Sequence, residues 1–403
     1  MKRKQSMNLA IVCNDTRGGV QPYVALSIGL KRAGFNVRAV CPAHSSSMFS
    51  QNDIPVVEEL GTAEEFVDAS RRAAEGGLIE AIRLQVFEAA PKLKRWQEQT
   101  IRACDGAQII IGGIGGMVTG IPAAARLNVP FVQMHLQPIF APSAEYQGVL
   151  APKILAPFGG PANHLGHLIS DSIVKMMLMG KAPKTSEHPI FYGLSQKIVP
   201  VKSSGTTTRF ANGYWTLKNF DNWSPPLELN QFLEKADDVI CIGFGSMVTK
   251  NPESFYRKII AAIKRAGARA VILTGWHGAV SLDQDEQVFL CNEVPHSWLF
   301  DRVRAIVHHG GAGTTGAAFT AGKPQIVVPF GVDQPFWGAR VHTLGAGPMP
   351  IPRPQLSVDN LLASMKEALT NERMKERAAH LGQALREEAG VDRTVEQFQN
   401  LFS

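Results

Sequence analysis

The chain has 403 residues, 45% hydrophobic and 19% charged, with mean hydropathy near zero. That composition excludes a disordered or fibrous protein and predicts two to three globular domains. Formal net charge is +6. Residues 1–205 carry 21 Lys+Arg against 15 Asp+Glu, while residues 206–403 carry 20 of each. The whole basic excess lies in the first half, which fits either a solvated surface or attraction to an acidic partner or anionic membrane. Five scattered cysteines without a C-x-x-C predict a reducing compartment and no disulfide framework or zinc knuckle. No run reaches the ~18 apolar residues of a membrane span, and the apolar stretch after Met1-Lys-Arg-Lys is too short for a signal peptide. A cytoplasmic protein, at most peripheral to a membrane, is expected.

Apolar runs alternate with helical ones along the chain. Leu9–Cys13 reads as a strand, Gly18-Gly19 as a loop, Tyr23–Ala33 as a helix closed by Gly34, and Asn36–Cys41 as the next strand. A second unit follows, with strand Ala107–Ile111, glycine-rich loop Gly112–Gly116, helix Met117–Leu127 and strand Pro130–Met134. Ala63–Arg102 reads as mostly helical. Residues 139–190 are rich in Pro, Gly and His, with one helical stretch at Leu165–Met179. Later strands are Asp238–Gly243, Arg269–Leu273, Gln287–Cys291, Ala305–His308 and Gln325–Pro329. Helices Pro252–Ala266, Thr314–Ala321, Val358–Ala368, Asn371–Ala389 and Thr394–Phe402 separate or follow them. The alternation predicts an α/β protein of two doubly wound, Rossmann-like domains facing across a cleft. We expect domains at 1–205 and 227–403, a linker at 206–226, and a last helix able to pack back on the first domain. Ligands in such sheets bind beyond the carboxyl ends of the strands.

Val307-His-His-Gly-Gly-Ala-Gly-Thr-Thr-Gly316 carries the strongest chemical signal. It follows a strand and opens a helix, so backbone N–H groups and the helix dipole favour a phosphate there. Gly311-x-Gly313-x-x-Gly316 with Asp333 also matches a dinucleotide fingerprint, but Gln334 and Trp337 have no role in such a site. Asp283-Gln-Asp285 reads as a solvated turn, and His164-x-x-His167 as local polar packing without a third metal ligand. No metal site and no nucleic-acid motif is expected.

Taken in order, Asp15-Thr-Arg-Gly-Gly-Val-Gln-Pro22, Gly213-Tyr-Trp215, Gly243-Phe-Gly-Ser-Met247, Val294-Pro-His-Ser-Trp-Leu-Phe300, the His-His-Gly-Gly stretch and Asp333-Gln-Pro-Phe-Trp-Gly338 form a pattern. It resembles the family-1 nucleotide-sugar glycosyltransferases, most of all their sterol-glucosyltransferase-like branch. The resemblance implies a GT-B fold and inverting, metal-independent hexose transfer, with UDP-glucose as donor substrate and no cofactor. The acceptor implied is a hydrophobic small molecule or lipid. An epimerase of the same fold and a non-catalytic nucleotide-sugar-binding partner are the alternatives.

By the same resemblance, His309 with Gly311, Gly313, Thr314 and Thr315 would hold the diphosphate, approached by Gly245 and Ser246. Val294 would meet the uracil, Asp333 and Gln334 the sugar hydroxyls, and Trp337 would line that end. Plant members grip the ribose with a glutamate where this chain has Gly316-Ala317. The branch's general base is the aspartate of Arg-Gly-Asp-Val-Gln-Pro, and Gly19 stands in its place. Asp15 or His135 could supply the base instead. The acceptor could arrive ionised, or the chain could bind without transferring. Val149–Phe158 and Ile173–Met179, with Met176, Met177 and Met179, suggest an apolar acceptor pocket.

Overall fold

A computed structural model of the chain describes residues 6–15, 17–59, 72, 83, 90–152, 155, 158–178, 188–217, 223–235, 238–245, 247, 251–275 and 286–402. These form two compact units. Among the described residues the first comprises those up to Leu217, Arg72 excepted, and those from Glu388 onward; the second comprises Arg72 and the segments between Lys218 and Glu387.

Seven strands build the first sheet: β1 Asn8–Val12, β2 Asn36–Cys41, β3 Val56–Glu59, β4 Ile109–Gly112, β5 Phe131–His135, β6 Ile190–Tyr192 and β7 Arg209–Ala211. Their order is β3-β2-β1-β4-β5-β6-β7, every pair parallel. Alternate residues of β1 serve opposite faces, as the two-residue strand period requires. Leu9 and Ile11 pack with Val24, Leu26 and Phe398, whereas Ala10 and Val12 pack with Ile110, Ala123 and Cys104. Both faces are dry, which is why the strands read as continuous apolar runs.

The second sheet contains β8 Val239–Gly243, β9 Arg269–Leu273, β10 Val288–Cys291, β11 Ala305–His308 and β12 Gln325–Val327. The order is β10-β9-β8-β11-β12, again all parallel. Ile240 and Ile242 face Tyr256, Ile259 and Met365; Val239 and Cys241 face Leu299 and Phe300. The α/β class with doubly wound parallel sheets is as expected.

Two local expectations are corrected. The first helix is Arg17–Arg32, so Gly18 and Gly19 lie in its opening turn and not in a loop. The stretch read as a linker hides β7, whose three residues pair with β6. The helix Gly390–Phe402 belongs to the first unit, where Val395 and Phe398 join the core and Trp215 Nε1 donates to Thr394 Oγ1 at 3.0 Å.

Helix Ile114–Leu127 starts directly beneath β1. A Cβ on Gly116 would overlap the Val12 carbonyl oxygen and stand 2.8 Å from its carbon. Backbone cannot yield as a side-chain tip can, so Gly116→Ala should lower unfolding free energy by about 1–3 kcal/mol, the range for overpacking. Gly160→Ala, whose new methyl would meet nothing nearer than 3.9 Å, should change it by no more than a few tenths. Urea midpoints of both variants check this; equal midpoints would refute the close packing.

Candidate active site

In each sheet the strand order reverses direction once, next to the first strand: between β1 and β4 in one unit, between β8 and β11 in the other. Crossovers leaving to opposite sides open a crevice at the carboxyl ends of those strands. Asp15 follows β1 at the first of these points, and Gly245 and His309 follow β8 and β11 at the second.

In the second unit, β8 ends in Gly243-Phe-Gly245 and β11 in His308-His-Gly-Gly311. Gly245 (φ +59°) and Gly310 (φ +88°) both take the left-handed conformation that glycine adopts without penalty. His309 lies across from Gly245, where an added Cβ would stand 3.2 Å from Cε1 of the ring. The helix Ala312–Ala321 begins immediately after, with Gly311 as its N-cap. The Thr315 N–H is committed to Gly311 O at 2.9 Å, which leaves the amides of Gly313 and Thr314 at the open end of the helix. Thr315 contributes its hydroxyl rather than its amide: Oγ1 is buried without a hydrogen-bond partner. An orphaned buried donor beside open helix amides is a cradle suited to an anion.

The neighbouring loops complete this end. Val294 is buried, and His296 stacks on Phe300 with ring centroids 4.5 Å apart. Thr274 Oγ1 bonds Asn292 Oδ1 at 3.0 Å and joins the ends of β9 and β10. Gln334 turns its Oε1 onto the N–H groups of Phe330 and Gly331 at 2.7 and 3.2 Å, and its Nε2 toward Met247 Sδ. Asp333 Oδ2 accepts from Trp337 Nε1 at 3.0 Å, one helical turn on. Trp337 is thereby fully buried and braces the carboxylate. Immediately before Asp333, Val332 holds φ at +53°, a conformation that costs a β-branched residue about 1–3 kcal/mol. Ser246 and the Asp283-Gln-Asp285 turn lie outside the described residues.

In the first unit, Asp15 follows β1. The Arg17–Arg32 helix starts two residues later, and a Cβ built on Gly19 would overlap the Asp15 carboxyl group. The carboxylate therefore fills the volume that a side chain at position 19 would occupy. His44 Nε2 lies 3.2 Å from Asp15 O, and Tyr23 Oη donates to Met134 O at 2.6 Å. His135 ends β5 fully buried, its Nε2 against Gln133 Oε1 at 3.1 Å and its ring against Phe140 and Tyr192. Its surroundings make it a packed neutral imidazole, whereas Asp15 is only partly buried. Tyr23, His44 and Thr274 were not singled out from the sequence. His44 and Thr274 each stand at or near the end of a strand, the one signal that could have marked them.

His167 bonds Tyr146 O at 3.0 Å, the polar packing expected of it. Among the described residues no group of three or more His, Cys, Asp or Glu could hold a metal ion, and no helix is long and apolar enough to cross a membrane.

Known proteins place this geometry. Residues 273–395 match the family model for the erythromycin biosynthesis protein CIII-like C-terminal domain. Sterol 3-beta-glucosyltransferases of Kluyveromyces lactis (29% identical) and Candida albicans (28%) align with 97% and 98% of the chain. They do so over 34% and 28% of their own lengths, so the chain spans about a third of these relatives. Among solved structures, the spinosyn rhamnosyltransferase SpnG covers 98% of the chain and all of its own, with TM-score 0.69 and 16% identity. Streptomyces SsfS6, solved with thymidine diphosphate, covers 98% of the chain and 99% of its own, with TM-score 0.66 and 16% identity. The fold is that of the GT-B glycosyltransferases. Within that class the chain is similar to sterol 3-beta-glucosyltransferases along nearly its whole length, the branch that its ordered motifs resemble.

Burial pushes five histidines down, His44 among them. His135 and His308 fall to about 3, His167 to about 4, and His309 to about 4 with His296 adding to the effect. Each binds its proton more readily unfolded, near pH 6.5, than folded. Between those values the unfolded chain holds more protons, so stability must fall as pH drops from about 6.5 toward 4. Urea titrations at steps from pH 7 to 4.5 should give steadily lower midpoints; a flat profile would contradict the buried neutral imidazoles.

Proposed function

We propose that the chain is an inverting glycosyltransferase that moves glucose from UDP-glucose to a hydroxyl of a hydrophobic, sterol-like lipid or small molecule. The observation that carries this reading is the anion cradle of His309, Gly313, Thr314 and Thr315 at the switch point of the second sheet. It is joined by an alignment to sterol 3-beta-glucosyltransferases along nearly the whole chain.

The chemistry follows from the two strand-end sites. As the anomeric C–O bond breaks, negative charge grows on the diphosphate. Preorganised amides, the helix dipole and the neutral His309 N–H stabilise that charge. The Trp337-braced Asp333 carboxylate, with Gln334 Nε2, recognises the sugar hydroxyls. Gln334 Oε1 is spent on its own loop, so what that side chain offers a sugar is the second Nε2 hydrogen, the first being given to Met247 Sδ. On the acceptor side Asp15 takes the hydroxyl proton as the oxygen attacks the anomeric carbon from the face opposite the diphosphate. Its carboxylate stands where the branch's aspartate side chain would begin. The Asp15 carboxylate has that volume because position 19 carries no side chain.

Two experiments test this. His309→Ala should lower turnover with UDP-glucose by about 10²–10³, the usual loss for one preorganised donor, with activity unchanged in EDTA. Unaltered turnover, or a rate abolished by chelation and restored by Mg²⁺, would remove this account of leaving-group stabilisation.

Asp15→Asn should cut transfer to a neutral alcohol by about 10²–10⁴. Gly19→Asp alone should crowd the existing carboxylate. The double variant Asp15→Gly/Gly19→Asp, which moves the carboxylate to position 19, should recover much of the rate. If Asp15→Asn is fully active, the acceptor arrives ionised. If wild type binds UDP-glucose yet gives neither transfer nor donor hydrolysis with any alcohol, the chain is a binding partner and not an enzyme.

A further inference from the structure

The helix Gly160–Met177 wears its polarity inside out. Asn163, His167, Ser170 and Val174, spaced four, three and four apart, form its buried stripe, and three of the four are polar. Asn163 Nδ2 donates to Ala144 O at 2.8 Å, His167 meets Tyr146 O at 3.0 Å, and Leu150 N donates to Ser170 Oγ at 3.2 Å. The polar side chains are consumed in satisfying the main chain of the Ala144–Leu150 loop, which Gly148 lets approach closely: a Cβ there would lie 2.6 Å from Gly166 O.

The outward stripe is therefore left to Leu165, Leu168, Ser172 and Met176, spaced three, four and four apart on one face. Leu168 is 66% exposed, Leu165 and Met176 48% each, and Phe158 just before the helix 70%. Among the described residues ten large apolar side chains are exposed, and four of them lie in these 19 positions. An amphipathic helix in water turns the other way. Met176, expected in an acceptor pocket, is on this outer surface, and the Met177 and Met179 side chains lie outside the described residues.

Charge selects the occupant. The helix's one acid, Asp171, turns inward and accepts from Phe140 N at 3.1 Å, while Lys175 and His164 remain exposed. The first half of the chain carries the entire basic excess. An apolar stripe edged by Lys175, on a helix with no outward acid, matches an anionic bilayer surface: apolar side chains enter the acyl boundary and the lysine meets the headgroups. Location agrees. Through Asp171 the helix is tied to Phe140, which packs on His135 at the carboxyl end of β5, the end of the sheet that also carries Asp15.

We propose that the Phe158–Met176 surface docks the protein on anionic membranes, so that a lipophilic acceptor is taken from the bilayer at the edge of the first unit. This rests on the lipid-acceptor reading above and names where that acceptor is met. Co-sedimentation of the full chain with sterol-free vesicles separates the two. Binding to phosphatidylcholine vesicles containing 30% phosphatidylserine should exceed binding to pure phosphatidylcholine at least tenfold and weaken with salt. Leu165→Ser/Leu168→Ser should lose at least tenfold in vesicle binding while retaining transfer to a detergent-dispersed acceptor. Equal binding to both vesicle types, or to neither, overturns the membrane proposal whatever the transfer assay gives. So does a dimer in sedimentation velocity that the double variant abolishes without any vesicle binding. Vesicle binding with no transfer to any acceptor leaves the surface standing and overturns the enzymatic reading instead.

Discussion

A parallel strand cannot hairpin onto its neighbour; the chain must cross a face of the sheet before it can pair again. Where successive crossovers leave the first strand to opposite sides, the loops at its carboxyl end part, and no backbone closes the gap. Both sheets here have one such place, beside β1 and beside β8. Most of the chemistry described depends on it. The crevices give open helix amides and a carboxylate room to meet a ligand, and the surrounding dry sheet faces fix them rigidly.

Each crevice is also made narrow. Gly113, Gly115 and Gly116 in one unit, and Gly245, Gly275 and Gly310 in the other, stand where an added Cβ would press on a neighbouring strand end or loop. The backbone itself thus lines the two sites. A main-chain N–H is a fixed dipole with no rotamer to freeze, so it stabilises developing charge without reorganising. One non-glycine residue with positive φ lies in the loop that follows a strand in each unit: Phe140 after β5 and Val332 after β12. Strain of this kind persists only where surrounding contacts hold it. Phe140 is held by Asp171 at its N–H and by Arg209 Nε at its carbonyl; the Val332 turn is closed by Gln334.

Much of this was legible in the chain itself. Strands buried on both faces read as unbroken apolar runs, so β2, β9 and β11 begin and end where their patterns do. The three-residue strands β6 and β7 carry too little pattern to separate from loop. The helix Ala43–Ser50 is masked by its serine run, since those hydroxyls also favour turns. The helix Gln334–Thr343 is nearly as apolar on one side as the other, and its site motif draws attention from its periodicity. On the site, the glycine-rich turn between β11 and the Ala312–Ala321 helix was readable because its glycines sit directly between an apolar strand and a helical run. The commitments of the Thr315 amide and of Gln334 Oε1 were not, because they arise from bonds inside the loops that hold them.

The pairing of Asp15 with Gly19 was half visible. Four residues separate them, which is one helical turn, yet a Gly-Gly pair reads as a loop and loops carry no such register. Only with the helix begun at Arg17 does residue 15 come to lie over residue 19. The consequence is a constraint on substitution. With Asp15 in place, a methyl at 19 meets its carboxyl group, so any side chain at 19 requires the Asp15 side chain to swing out of that volume. As the chain stands, the space over position 19 belongs to the Asp15 carboxylate. On the transfer chemistry proposed above, a glycine at 19 with Asp four residues before it is a carboxylate relocated and not removed. With no acid at that earlier position, the same glycine would point to loss.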